Sequence, residues 1–241
     1  MTYTVVVGAG SGIFEAYLKL APDKQYILMD LPERTDKLRA ELAGTGIHAE
    51  FRDIDVRETA SVRDAFDHFA ERPVAELIYL VGINCFAEAL DVTEQMWDSI
   101  LDTNLKGCFF VMQACAGIMI RHKMPGRMVN IVSQHGFVGN TLRAPYCASK
   151  AAMVNLNRVL ALEWAPFGIR VNSVAPTWIQ YPCNERLLQD PEFKKKNLRG
   201  IPLRSYCQPE DVADAVDFLL SDRSRMMTGQ SILLDGGWTI Q

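Results

Sequence analysis

The chain has 241 residues, 49% hydrophobic and 22% charged, with a formal net charge of −4. That length and mixture suit one large α/β domain or two small ones, with enough apolar residues for a sizeable core. The charge balance offers no electrostatic match to nucleic acid or to an acidic membrane surface, so neither is expected as a partner.

The first expected strand, 3–7, follows the start of the chain directly, with no basic leader or cleavage site before it, so no secretory signal is read there. Gly8, Gly10 and Gly12 come next, ahead of an expected helix at 13–20. Glycines let a backbone turn sharply and approach a phosphate, and a helix N-terminus adds free N–H groups and a positive dipole end. The second strand, 26–30, ends on Asp30. A carboxylate there can accept both hydroxyls of an adenosine ribose and would repel a 2′-phosphate. Neither Met29 nor Leu31 supplies a compensating cation, so the expectation is NAD in preference to NADP. Asp30 could equally cap the helix beginning near Pro32, and the two roles are compatible.

Further on, helices are expected at 33–43, 59–70, 94–121, 145–165 and 209–220, and strands at 47–52, 76–81, 127–132, 170–175 and 231–234. The longest apolar stretch, 108–120, is shorter than the roughly 20 residues a spanning helix needs. Asn104 falls inside the helix at 94–121, where asparagine is a poor choice on propensity, which favours a functional or kink-associated role. Ser133 follows the fifth strand, at the end where doubly wound sheets place their sites, and its hydroxyl can bond a substrate oxygen as charge develops. Tyr146 and Lys150 are one helical turn apart and share a face. A nearby cation favours the phenolate, so Tyr146 could exchange a proton with a substrate hydroxyl. Alone, such a pair could be two exposed helix residues. With Ser133 and Asn104 on the same scaffold it reads as a catalytic group.

Strands alternating with helices imply βαβ units, and right-handed crossovers then give a doubly wound parallel sheet with helices on both faces. One segment, 181–207, breaks this rhythm. It is polar, carries Lys194, Lys195 and Lys196 and three prolines (Pro182, Pro191 and Pro202), and is expected to be a lid over the site of a single domain covering 1–241. The six cysteines form no metal-binding or redox spacing and are expected to be small core hydrophobes with free thiols, in a cytoplasmic protein.

Along essentially its whole length the chain resembles the short-chain dehydrogenase/reductase family. The resemblance is carried by the glycine turn at 8–12, by Asp55 and Val56, by Asn104, Ser133, Tyr146 and Lys150, and by the stretches 169–176, 208–212 and 235–237. It implies a seven-stranded Rossmann-type sheet and a homotetramer, or a dimer, acting on a secondary alcohol or ketone. It also implies a nicotinamide cofactor held by Gly8, Ser11, Gly12, Ile13, Asp30, Leu31, Asp55, Val56, Val81, Gly82, Tyr146, Lys150, Pro176 and Ile179. Asp55 and Val56 would lie near adenine, Pro176 and Ile179 near nicotinamide, and Asn104 would hold a water linking Lys150 to solvent. Three positions depart from the family's pattern. Phe14 stands at the last glycine of the turn and is expected to crowd the helix or the pyrophosphate. Tyr79 to Gly82 replace the usual end of the fourth strand, and Tyr181 replaces a threonine.

Motif details, among them Cys147 beside Tyr146, resemble the sugar and polyol branch that includes L-xylulose reductase. Gln134, His135, Asn140 and Arg143 could bond a polyhydroxylated substrate, or could be polar loop residues facing water. Trp178, Tyr181 and Phe193 could instead form an apolar pocket for a cyclic or hydroxyacyl substrate, while Arg186, Arg199 and Arg204 leave room for an acidic one. The substrate set is thus Gln134, His135, Arg143, Trp178 and Tyr181. A nucleotide-binding sensor without turnover is the alternative from another class.

Overall fold

The computed structural model describes residues 2–181 and 184–241, apart from the side chain of Lys196. Seven strands form one sheet: β1 (Tyr3–Val7), β2 (Gln25–Asp30), β3 (His48–Asp53), β4 (Val74–Tyr79), β5 (Gly126–Ile131), β6 (Ile169–Pro176) and β7 (Ser231–Leu234). The spatial order is β3-β2-β1-β4-β5-β6-β7 and every neighbouring pair is parallel. The order reverses between β1 and β4, which opens a crevice beyond their C-terminal ends.

The helices are α1 (Gly12–Leu20), α2 (Pro32–Leu42), α3 (Thr59–His68), α4 (Glu94–Leu101), α5 (Gly107–Arg121), α6 (Ala144–Trp164), α7 (Glu185–Gln189), α8 (Pro191–Arg199) and α9 (Pro209–Leu220). Local chemistry sets several of their starts. Ser11 caps α1 by accepting the Phe14 N–H at 3.3 Å. Pro209 occupies the first turn of α9, behind a reciprocal cap between Gln208 and Asp211. One buried cluster joins β1, β4 and β5 to α3, α5 and α6, and a second joins the sheet to α1 and α9. Strands buried on both faces explain why they read as continuous apolar runs.

Most expected boundaries agree to within two residues, but three expectations need correction. The helix expected at 94–121 is not uniform: Asp102–Lys106 forms a wider turn between α4 and α5, in which the Gly107 N–H bonds the Asp102 carbonyl. The extra residue in that turn accommodates Asn104, which is fully buried. The full helical run, Glu94–Arg121, is long and apolar enough by composition to cross a membrane, which the stretch 108–120 alone is not. More than half of its most apolar window is buried in the protein, as in a core helix.

The segment 181–207 is not simply a polar excursion. It contains α7 and α8, and Leu188, Ile201 and Tyr206 are buried in a third cluster with Trp178, Phe193, Leu198 and Trp238 packed against it. The lone apolar positions spaced among lysines are what hold it down. Among the cysteines, Cys108, Cys115 and Cys207 are buried as expected, Cys85 and Cys147 are only half-buried, and Cys183 and Pro182 lie outside the described residues.

Candidate active site

The crevice between β1 and β4 continues into a cavity of about 380 Å³, bounded by the ends of β4, β5 and β6 and the start of α6. Ser133, Tyr146 and Lys150 line it, as do all five residues expected to meet substrate: Gln134, His135, Arg143, Trp178 and Tyr181. Of the expected cofactor residues, Ile13, Val81, Gly82, Pro176 and Ile179 line it too. The remaining ones follow the edge of the sheet outward from it.

Ser133 leaves β5 in an extended conformation, and its Oγ accepts the His135 N–H at 3.2 Å. Ser133 and Tyr146 share the cavity wall. Burial pushes the Tyr146 phenol up, while the nearby Ser133 hydroxyl and the Arg143 charge pull against that rise. Lys150 lies 5.8 Å from the Tyr146 ring centre and donates from Nζ to the Ile131 carbonyl at 2.9 Å. Burial brings its pKa down to about 8. A lysine this close to its deprotonation point still carries charge at neutral pH and holds it beneath the phenol.

Asn104 is fully buried beside this group, and a Cβ on Gly82 would meet both Lys150 Nζ, at 3.3 Å, and Asn104 Oδ1, at 3.6 Å. Its Oδ1 accepts the Ile83 N–H at 2.8 Å, and its Nδ2 donates to the Ile83 carbonyl at 2.9 Å and to Ser149 Oγ at 3.1 Å. The carboxamide therefore fixes the chain that runs on from β4 past Val81 and Gly82. Thr177 and Asn184 also line the cavity and were not anticipated. Asn184 is legible only in three dimensions, where its side chain ties Tyr181 N–H to the Ile179 carbonyl.

The glycine turn fits a dinucleotide. Gly8 has φ 85, and a Cβ there would lie 3.0 Å from the Val81 backbone nitrogen. Only glycine suits that backbone and that approach. A Cβ on Gly12 would meet the Tyr181 ring at 3.0 Å. Tyr181, expected on the substrate side, thus also lies over the turn. Gly12 and Ile13 open α1 directly after the turn, and the free N–H groups of a helix start suit a phosphate there.

Asp30 ends β2 as expected. One carboxylate oxygen accepts the Gly10 N–H and the other the Leu31 N–H, both at 2.8 Å. It is not the cap of α2, a position held by Leu31. Each oxygen keeps a lone pair for a ribose hydroxyl. Arg34 packs its stem nearby, with Cδ 3.3 Å from where Gly10 would carry a Cβ. Asp55 is held low by an ion pair with Arg57, and Val56 is buried against Gly107.

Phe14 does not obstruct the turn. Its ring is buried on the core side and meets Tyr26 edge-on. The helix turns its Cβ away from the phosphate side, so the expected crowding does not arise. Arg186, Arg199 and Arg204 do not line the cavity, so they are not its source of positive charge. Inside it, burial lowers the His135 pKa to about 4, so the ring is neutral at pH 7.

Comparison with known proteins gives consistent results. The family profile described as enoyl-(acyl carrier protein) reductase matches residues 16–239. The chain is 34% identical to an NAD-dependent glycerol dehydrogenase of Listeria innocua, over 98% of this chain and 93% of that one. It is 32% identical to an L-xylulose reductase of Bos taurus, over 97% and 95%. A crystal structure of a gluconate 5-dehydrogenase from Burkholderia cenocepacia, in complex with NADP and tartrate, superposes with a TM-score of 0.91 at 28% identity, covering 100% of this chain and 96% of that one.

Proposed function

Because the chain belongs to the short-chain dehydrogenase/reductase family, we propose that Tyr146, Ser133 and Lys150 carry its chemistry on a small hydroxylated substrate, with NAD preferred over NADP. The protein is an oxidoreductase that interconverts alcohols and ketones. The observation that supports the site assignment best is that Ser133, Tyr146 and Lys150 line one cavity wall, with the buried Lys150 Nζ 5.8 Å from the Tyr146 ring centre.

Gly8, Ser11, Gly12 and Ile13 would hold the pyrophosphate, Asp30 and Leu31 the adenosine ribose, and Asp55 and Val56 the adenine edge. Lys150, Pro176 and Ile179 would hold the nicotinamide ribose and ring. A nicotinamide held there would supply the hydride acceptor for alcohol oxidation and the hydride donor for ketone reduction. Tyr146 takes the hydroxyl proton during oxidation and gives it back during reduction. Ser133 donates a hydrogen bond to the substrate oxygen as negative charge develops there. The Lys150 charge favours the phenolate form of Tyr146, and Asn104 keeps the adjoining wall in place.

The glycerol, xylulose and gluconate relatives support a sugar, polyol or sugar-acid substrate in a chain whose residues 181–207 act as a lid. Asp30 supports NAD over NADP. We also propose a homotetramer in the cytoplasm. Cys108, Val111, Met153 and Leu160 are buried within the protomer and are not free for an interface. Val159 and Leu162 on α6 are exposed and offer the apolar surface that such an assembly would bury. The test of the function is initial-rate turnover of polyols, aldonates, hydroxyacyl thioesters and cyclic alcohols with each cofactor, by the wild type and by Tyr146→Phe.

A further inference from the structure

The cavity holds a second buried cation besides Lys150. Arg143 is 6% exposed, yet no carboxylate among the described residues pairs with it. Its guanidinium carbon lies 4.5 Å from the Phe86 ring centre and 4.4 Å from that of Trp178. Two aromatic faces thus hold the group without consuming its five N–H donors. The backbone is also arranged for it. Leu142 adopts φ 63, a left-handed conformation disfavoured for leucine, immediately before Arg143 opens α6. Three residues later the same helix presents Tyr146.

Burying an unpaired charge is costly, and proteins usually neutralise it with a partner. The described residues lining the cavity include no aspartate or glutamate. They do include buried polar atoms without partners: both amide atoms of Gln134, His135 Nδ1 and Thr177 Oγ1. A polar molecule in the cavity would give such groups partners.

We propose that Arg143 anchors a monoanionic oxyanion on the substrate, a carboxylate or a sulfonate, so that this site acts on hydroxy acids in preference to neutral polyols. The inference rests on the cavity being the alcohol/ketone site. The planar guanidinium fork matches two oxygens of such a group. Gln134 and Thr177 then bond its hydroxyls. A dianionic phosphate fits less well, because His135 is neutral and Lys150 is engaged beneath Tyr146.

Binding to the protein–NADH complex, measured calorimetrically without turnover, tests this. The probes are glycerate, 3-hydroxybutyrate, tartrate and gluconate, each beside its amide, with 2-hydroxypropanesulfonate and inorganic phosphate as further arms. In the wild type at least one acid or the sulfonate should bind about tenfold to a hundredfold more tightly than its neutral counterpart, the range of a charge-assisted hydrogen bond. R143Q should abolish that preference, and R143K, which keeps the charge without the fork, should retain part of it. The wild-type comparison needs no variant to fold. Equal binding of acids and neutral counterparts, a preference that survives R143Q, or Arg143-dependent binding of phosphate alone would overturn the proposal. Neutral alcohols turned over as well as acids would leave the oxidoreductase reading intact and remove only Arg143. Acids that bind through Arg143 without any alcohol being turned over would do the reverse.

Discussion

The ring of Phe14 meets the ring of Tyr26 edge-on, with centroids 5.5 Å apart and planes at 78°. This pair docks the first turn of α1 onto β2, beside the glycine turn but facing away from it. Phe14→Ala should therefore cost about 3–5 kcal/mol of folding stability, as large-to-small changes in a core do. Its cofactor affinity should stay close to that of the wild type. Chemical denaturation beside an NADH titration checks both. Unchanged stability with tighter cofactor binding would return the ring to the phosphate site.

Phe14 also shows where a motif stops being informative. The spacing of Gly8 and Gly12 made the cofactor turn legible, but not the direction of a side chain two residues on. Ser133, Tyr146 and Lys150 were legible because strand ends and helical spacing fix their placement from local rules. Asn104 was legible as an anomaly of propensity, although its partner, Ile83, is set by the path of the chain after β4. Leu188, Ile201 and Tyr206 were missed because their cluster joins the segment after β6 to the C-terminal Trp238, a contact with no local period.

The pH dependence follows from Lys150. Its folded pKa is lowered from 10.5 to about 8 by burial, so its charge is lost as pH rises through about 8. Ketone reduction should accordingly lose kcat/KM above that pH. Lys150→Arg, which stays charged, should move this limb upward. Stability carries the opposite sign: the penalty for burying the ammonium is complete below about 8 and is relieved as pH rises toward 10.5. A falling limb that stays in place in Lys150→Arg would assign it to another group.

Cofactor choice tests Asp30. Its oxygens hold the Gly10 and Leu31 amides, so Asp30→Ala removes support for the turn as well as charge. Asp30→Asn is the cleaner variant. The wild type should bind NAD at least about tenfold more tightly than NADP, equivalent to about 1.4 kcal/mol. Asp30→Asn should narrow that ratio, and the nearby Arg34 then favours the 2′-phosphate. Equal affinities in the wild type, or a ratio unaltered in the variant, would remove Asp30 from the explanation.

The central claim is that Tyr146 moves the proton, and one comparison tests it most directly. With the best substrate from the panel and saturating cofactor, kcat is measured for the wild type and for Tyr146→Phe, with NADH affinity measured in parallel. The phenyl ring preserves the packing and removes only the hydroxyl assigned to proton transfer. The account predicts a fall in kcat of at least about a hundredfold, the low end for loss of a positioned acid–base group, with NADH binding retained. A Tyr146→Phe enzyme that keeps near wild-type kcat would contradict it.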